Sequence, residues 1–322
     1  MDYDKGGMQK DIYIEYETEY TTCPLCGENR FNKLHTERGI LGVVRCLACK
    51  LIYVNPRLKN PEKVYCGEAE KYFAEAKLIF QGKAKHHRDP NYLNDLKLIY
   101  RYKPSGNFLD IGTNMGFFLS NAKGRNWKLY GVEPSQSLSE IARKYFSLNV
   151  KTAFLDEANF EDNFFDIVTM TDVFEHITYP KKLLADVRRI LKPDGILFIK
   201  VPNALFNLFK LYCANIYGHS CHYDIFDSYE HVVHYSQITL RKMLERSGFK
   251  VVKFTIGKPM QTPVWHEYVG QYYQYPSPWC MDYKKQTMRS FLHLLSRVEY
   301  YLYGKNVGYL APNIIVIAKR NV

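Results

Sequence analysis

Phe108-Leu-Asp-Ile-Gly-Thr-Asn-Met-Gly-Phe-Phe-Leu119 decides the fold. Residues 107–111 read as a short apolar strand. Gly112 and Gly116 then turn the chain, and residues 115–122 read as a helix with Gly124 near its C-cap position. Glycine at such a turn lets the backbone approach a ligand closely. Asn114, between the two glycines, is the next most tolerant residue for a left-handed conformation. A lone Gly-x-x-x-Gly says little by itself, so its surroundings carry the reading.

Working outward, strands and helices alternate. Strands are expected at 129–132, 165–170, 196–201, 250–255 and 313–318. Helices are expected at 138–146 and at 181–191, the latter stopped by Lys192-Pro-Asp-Gly195. Ser236 is a good N-cap for a helix through Arg246, with Gly248 beyond its end. This rhythm predicts an α/β fold, a Rossmann-like doubly wound, mostly parallel sheet with helices on both faces. Three regions are expected: a module over 1–60, a helical linker or lid over 61–105, and the α/β domain over 106–322. Inserts interrupt the last at about 203–235 and 260–308.

Asp110 selects among ligands. A dinucleotide site wants Gly-x-Gly-x-x-Gly, and neither 114 nor 117 is glycine. A carboxylate at the strand tip repels a pyrophosphate and attracts an ammonium. S-adenosylmethionine (SAM) carries both an ammonium and a sulfonium, so charge sign favours it over NAD. Glu133 ends the next strand, seventeen residues beyond Gly116. An acidic residue about that far on is placed to hold two ribose hydroxyls in either cofactor.

Four stretches in order then resemble a class I SAM-dependent methyltransferase, of the group that includes ubiquinone-biosynthesis O-methyltransferases. They are Phe108–Leu119, Leu129–Ser135, Phe165-Asp-Ile-Val-Thr-Met-Thr-Asp-Val-Phe-Glu-His-Ile177, and Arg189-Ile-Leu-Lys-Pro-Asp-Gly-Ile-Leu-Phe-Ile-Lys-Val-Pro-Asn203. Glu230-His-Val-Val-His-Tyr-Ser-Gln-Ile-Thr-Leu240 also fits. The resemblance implies that Asp110, Gly112, Thr113, Asn114 and Gly116 line the methionine part of SAM. It implies Glu133 at the ribose, Pro134 and Ser135 at the adenine, and Thr171 and Asp172 facing the methionyl portion. Asn114 stands where the group usually has glycine. Residues 154–156 lack the group's usual Gly-Asp, which leaves Leu155 or Asp156 as adenine contacts.

Cys23-Pro-Leu-Cys26 and Cys46-Leu-Ala-Cys49 are two Cys-x-x-Cys pairs separated by nineteen residues. That spacing predicts a zinc ribbon. Four thiolates close a tetrahedral site and leave no open position, so the zinc is read as structural. The following Leu51-Ile-Tyr-Val-Asn-Pro-Arg57 resembles the stretch after the ribbon in many bacterial and archaeal methyltransferases of this group.

Methyl transfer from SAM is an in-line displacement, and an oxygen nucleophile usually needs a base. His176 lies just past the carboxyl end of a strand, where ligands bind in this fold. His231 and His234 stand three apart, on one face if their turn is helical. These three are the candidate catalytic residues. A metal-dependent O-methyltransferase would need more carboxylates than cluster along these stretches.

The inserts are aromatic. The first carries Phe206, Phe209, Tyr212, Tyr217, Tyr223, Phe226 and Tyr229. The second carries Trp265, Tyr268, Tyr272, Tyr273, Tyr275 and Trp279. Either a lid over an acceptor or a small aromatic core is expected. Net charge is +11, of which residues 1–60 hold +1 and residues 201–322 hold +7. The ribbon is therefore no basic arm for RNA. No apolar run reaches a membrane span, the start is unlike a signal peptide, and scattered cysteines suit a reducing compartment. A soluble, cytoplasmic enzyme follows. The favoured acceptor is a small molecule, a sugar, nucleotide-sugar or natural-product precursor, with phosphate-bearing acceptors included, and O-methylation is favoured. An RNA methyltransferase is the rival enzyme, and a non-catalytic SAM-fold protein the rival of another class.

Overall fold

The structure, a computed structural model, describes residues 17–61, 73–81, 86, 88–216, 224–258 and 283–321. Strands β1 (Thr18–Glu19), β2 (Phe31–Glu37), β3 (Leu41–Cys46), β4 (Ile52–Val54) and β5 (Arg57–Leu58) form the N-terminal part. Helices α1 (Phe73–Phe80) and α2 (Asp89–Tyr100) follow. Then come β6 (Ser105–Ile111), α3 (Phe117–Ser120), β7 (Asn126–Val132), α4 (Gln136–Phe146), β8 (Asn149–Lys151), β9 (Phe165–Thr171), α5 (Pro180–Ile190) and β10 (Leu191–Pro202). The chain ends with α6 (Ala204–Ile216), β11 (Val233–His234), α7 (Gln237–Arg246), β12 (Phe249–Thr255), α8 (Tyr283–Leu302) and β13 (Asn313–Arg320).

The main sheet has seven strands in the order β12-β13-β10-β9-β6-β7-β8. The five strands from β10 to β8 run parallel, and β13 runs antiparallel to both β10 and β12. This is the expected mixed α/β architecture. The chain winds outward from β6 through β7 to β8, then crosses back to β9. The switch point therefore lies between β6 and β9, where the crevice of such a sheet opens.

Period-2 alternation divides the sheet's side chains between two faces. Leu109, Val168, Leu197 and Ile199 pack with Leu184 and Val187 of α5 and Leu240 and Leu244 of α7. Phe108, Ile167, Ile196 and Phe198 pack on the other face with Leu96 and Ile99 of α2, Leu119 of α3 and Ala142 of α4. Each fully buried aliphatic side chain here contributes roughly 1.5–3 kcal/mol.

Three sequence readings change. The helix after the cofactor turn is only Phe117–Ser120, because Gly116 at φ +86° cannot belong to it. Strand β8 was not foreseen; it is three residues long and only its middle residue is buried. The segment holding His231 and His234 is not helical. Val233 and His234 pair as a strand with Tyr53 and Ile52 of β4.

That pairing joins the N-terminal strands to the later part of the chain, since β11-β4-β3-β2 is one sheet. Glu37 of β2, almost fully buried, accepts the Phe226 and Ser228 amides at 2.6 and 2.8 Å. Phe226 is buried with Val43 and Ile52, and Tyr229 with Leu41, Val54 and Leu58. These two aromatics of the first insert thus form core against the N-terminal strands. Tyr217, Tyr223 and the second insert's aromatics lie outside the described residues.

Candidate functional site

At the carboxyl ends of β6 and β9 a cavity of about 420 Å³ opens, within the ~300–1,000 Å³ usual for small-molecule sites. Asp110, Gly112, Thr113, Asn114, Pro134, Thr171 and Asp172 line it. His176 and His231 line it too, beside Asp227 and Glu230. A second, more open hollow, lined by Lys181, Arg188 and Arg246 among others, sits by α5 and the end of α7. It is away from the strand ends and offers no converging acid and base groups.

The turn is built by backbone conformations few residues accept. Gly112 has φ +69°, and a Cβ there would meet the Val173 side chain at 2.5 Å. Asn114 has φ +51°, and its side-chain oxygen accepts the Met115 amide at 2.7 Å. A short amide side chain bonding its own backbone is how a non-glycine residue tolerates this conformation. Asn114's amide in turn donates to Glu133 Oε2 at 2.8 Å, and the Ser135 amide donates to Oε1 at 2.9 Å. Glu133 thus holds the β6 and β7 turns together. Glu133, Ser135 and Gly116 stand behind the cavity wall rather than on its lining.

Asp110 is buried. Its carboxylate accepts the hydroxyls of Thr169 at 2.6 Å and Thr113 at 2.9 Å. Burial pushes its carboxyl up to about 7, the two hydroxyls pull it down, and the Glu133 charge adds to the rise. No described cation neutralises it. A positively charged ligand group in this cavity would.

The structure separates the two residues expected at the adenine. Leu155 lines the cavity with Ala153 and Phe154. Asp156 faces away, in an ion pair with Lys182 at 2.8 Å.

The opposite end is polar. His176 Nδ1 lies 2.8 Å from the Glu230 carbonyl oxygen. A carbonyl only accepts, so Nδ1 carries the proton and Nε2 keeps its lone pair. Burial, reinforced by His231, pushes the His176 imidazole down to about 4. Burial also lowers His231, against an upward pull from Glu230 and Asp172. Both rings are neutral near pH 7, with centroids 4.7 Å apart. His234 is elsewhere: it is buried, packs edge-on against Phe226, and does not line the cavity.

Glu175 lies beneath this end. It is 2% exposed, and neither carboxylate oxygen takes a hydrogen bond among the described residues. Burial, helped by the Asp172 charge, raises it well above the usual carboxylate range. Glu175, His176 and His231 each bring a ligand atom within 4.8 Å of the others, the donor spacing of a cation site. Folding thus brings His231 beside Glu175 and His176, and sets Asp227 and Glu230 on the same cavity as Asp172.

Sequence reasoning missed Arg88, His86, Asp227 and Glu230 as lining residues. Arg88 precedes α2 and pairs with Asp172 at 2.5 Å across the mouth. Glu230 opens the stretch that fits the resemblance without being singled out in it, and Arg88, His86 and Asp227 lie in no quoted motif; the fold brings all four to the cavity.

The cysteines form a second site. Cys23 and Cys49 sulfurs lie 3.4 Å apart, Cys26 and Cys46 sulfurs 3.5 Å, and all four lie within 4.8 Å of one another. Tetrahedral coordination at ~2.3 Å per bond sets sulfur separations of ~3.8 Å. The donor set thus fits a tetrahedral thiolate site. Gly27, at φ +77°, closes the first knuckle by donating its amide to the Cys23 carbonyl at 2.8 Å.

Comparison with known proteins agrees with this geometry. Residues 84–253, more than half of the chain, match the family described as a methyltransferase domain. An uncharacterised protein of Methanocaldococcus jannaschii is 29% identical over 192 residues, covering 59% of this chain and 82% of that one. A ubiquinone/menaquinone biosynthesis C-methyltransferase of Burkholderia mallei is 27% identical over 172 residues, 47% of this chain and 70% of that protein. A chain from the complex of the Haloferax volcanii Trm112 methyltransferase activator with a methyltransferase shares the fold at 16% identity. Its TM-score is 0.51, over 80% of this chain and 98% of that one. A switch-point cavity behind a glycine turn, with an acidic residue at each of two strand ends, has its family: the chain belongs to the methyltransferase-domain family and is a SAM-dependent methyltransferase.

Proposed function

We propose that this enzyme methylates a hydroxyl of a small, neutral, polyhydroxylated acceptor such as a sugar, with His176 as the base. The observation that carries the reading is the His176 Nδ1 bond to the Glu230 carbonyl, in the cavity that Asp110 and Gly112 also line. A neutral imidazole with an open Nε2 takes a proton from a hydroxyl as the oxygen attacks. When bound, SAM supplies a methyl group on a sulfonium, already activated as an electrophile.

The chain's residues do the rest. Asp110 meets the ammonium; Gly112, Thr113 and Asn114 bring backbone to the methionine part, braced by Gly116; Thr171 and Asp172 face it from β9. Glu133 holds the ribose through a small shift of the turn it braces. Pro134 and Ser135 border the adenine, against Leu155. Asp227 and Glu230 accept hydrogen bonds from acceptor hydroxyls. With Asp110 and Asp172, these carboxylates outnumber Arg88, which favours a neutral acceptor over a phosphate-bearing one. The four cysteines hold a structural zinc in a ribbon over residues 1–60. The catalytic role falls to His176 and His231; His234 serves packing.

The test is transfer of tritiated methyl from SAM to fractionated metabolites and to RNA. Labelled small molecules are expected. His176→Gln should lower kcat by roughly 10²–10⁴-fold with SAM affinity unchanged. Label appearing in RNA, or unchanged turnover in the variant, would overturn the proposal.

A further inference from the structure

Helix α8 turns its apolar face the wrong way for a helix of a water-soluble domain. Its inner side docks on the sheet edge: Ser296 and Tyr300 are buried, and the Tyr300 hydroxyl donates to the Phe254 carbonyl at 2.8 Å. Opposite, Phe291, Leu294, Val298, Tyr301 and Leu302 recur at helical spacing, each between 48% and 79% exposed. Such a stripe on an outer face marks an interaction surface.

Its surroundings give the partner's chemistry. Residues 249–258 hold three basic residues and no acidic one; residues 283–305 hold five and one. These two segments, in contact through Tyr300 and Phe254, carry an excess of seven out of the chain's +11. Lys250 and Lys253 are exposed on the edge strand β12 beside α8. The acids are occupied: Glu299 accepts the Tyr309 and Leu310 amides at 2.8 Å each, and Glu245 lies 3.7 Å from Arg241.

We propose that α8 lies flat on an anionic lipid bilayer, its outer stripe in the interface and the surrounding lysines and arginines on the headgroups. A 20-residue helix offers ~30 Å of contact, and apolar insertion with basic flanks is how interfacial helices bind. A second copy would set two strongly positive faces together. RNA would want stacking rings throughout, whereas three of the five stripe residues, Leu294, Val298 and Leu302, are aliphatic. Among the described residues no helix is long and apolar enough to cross a membrane, so the contact is peripheral. It is independent of the acceptor reading above.

The full chain should sediment with vesicles of phosphatidylcholine and phosphatidylglycerol at low salt, and poorly with phosphatidylcholine alone. Salt should release it. Leu294→Glu/Val298→Glu should weaken vesicle binding at least tenfold, with melting and SAM binding unchanged. Lys253→Glu/Arg297→Glu, which leaves the stripe intact, should weaken it by roughly tenfold or more. Sedimentation of either variant equal to that of the unsubstituted chain, no preference for anionic vesicles, or a dimer or RNA complex abolished by the stripe variant would each overturn the proposal.

Discussion

If Asp110 meets the SAM ammonium as proposed, it sets how cofactor binding responds to acid. Its carboxyl is raised to about 7 in the ligand-free chain, chiefly by burial. A cationic ligand favours the ionised form, so binding must expel the proton wherever Asp110 still holds it. SAM affinity is therefore expected to fall about tenfold per pH unit below 7. Calorimetry between pH 5.5 and 7 measures this, and Asp110→Asn should bind weakly with a flat profile. A flat profile in the unsubstituted protein would place the ammonium elsewhere. Much at this scale was legible: Asp110, Gly112 and Asn114 were read from a strand-to-glycine-turn pattern, and Asn114 does adopt positive φ. Arg88, Asp227 and Glu230 were not, because their place at the cavity depends on segments that meet only in the folded chain.

Elements follow local chemistry where that chemistry is strong. Ser236 caps α7 as expected, and Thr239 completes a reciprocal capping box: the Ser236 hydroxyl accepts the Thr239 amide at 3.3 Å, and the Thr239 hydroxyl accepts the Ser236 amide at 2.9 Å. Ser236→Ala should cost about 1 kcal/mol in denaturant unfolding, a loss that Asp at this position should largely avoid. Strand β8 escaped notice because a three-residue strand with one buried side chain leaves no periodic signal. The histidine pair was misjudged for the opposite reason. Three-residue spacing suggested a shared helical face, but pairing with β4 extends the segment, sending His231 to the cavity and His234 into the core.

Across the whole molecule, the cysteine site and the cavity are joined by backbone hydrogen bonds. The Cys46–Cys49 knuckle leads into β4. The Val54 amide donates to the Val232 carbonyl at 3.0 Å, and the Val232 amide donates to the Glu175 carbonyl at 2.9 Å. His231 and His176 are the next residues along. If the thiolates hold zinc, stripping it with a strong chelator should lower the melting temperature. It should also raise KM for the acceptor several-fold, with SAM affinity little changed. Metal analysis giving about one zinc per chain is the first check, and a cluster free of metal in protein purified under reducing conditions would refute it.

The sequence by itself determined the sheet, the glycine turn after β6 and the cysteine quartet, because each rests on short-range signals: period-2 and period-3.6 patterning, glycine conformations and fixed Cys-x-x-Cys spacing. Only the tertiary structure decided which histidine meets the cavity, which carboxylates join it, and that the strands beside the cysteine cluster share a sheet with Val233 and His234. Those outcomes depend on contacts between residues far apart in the chain, such as Glu37 with Phe226 and Arg88 with Asp172. No local pattern encodes them, since the free energy that brings them together is the burial of the whole core.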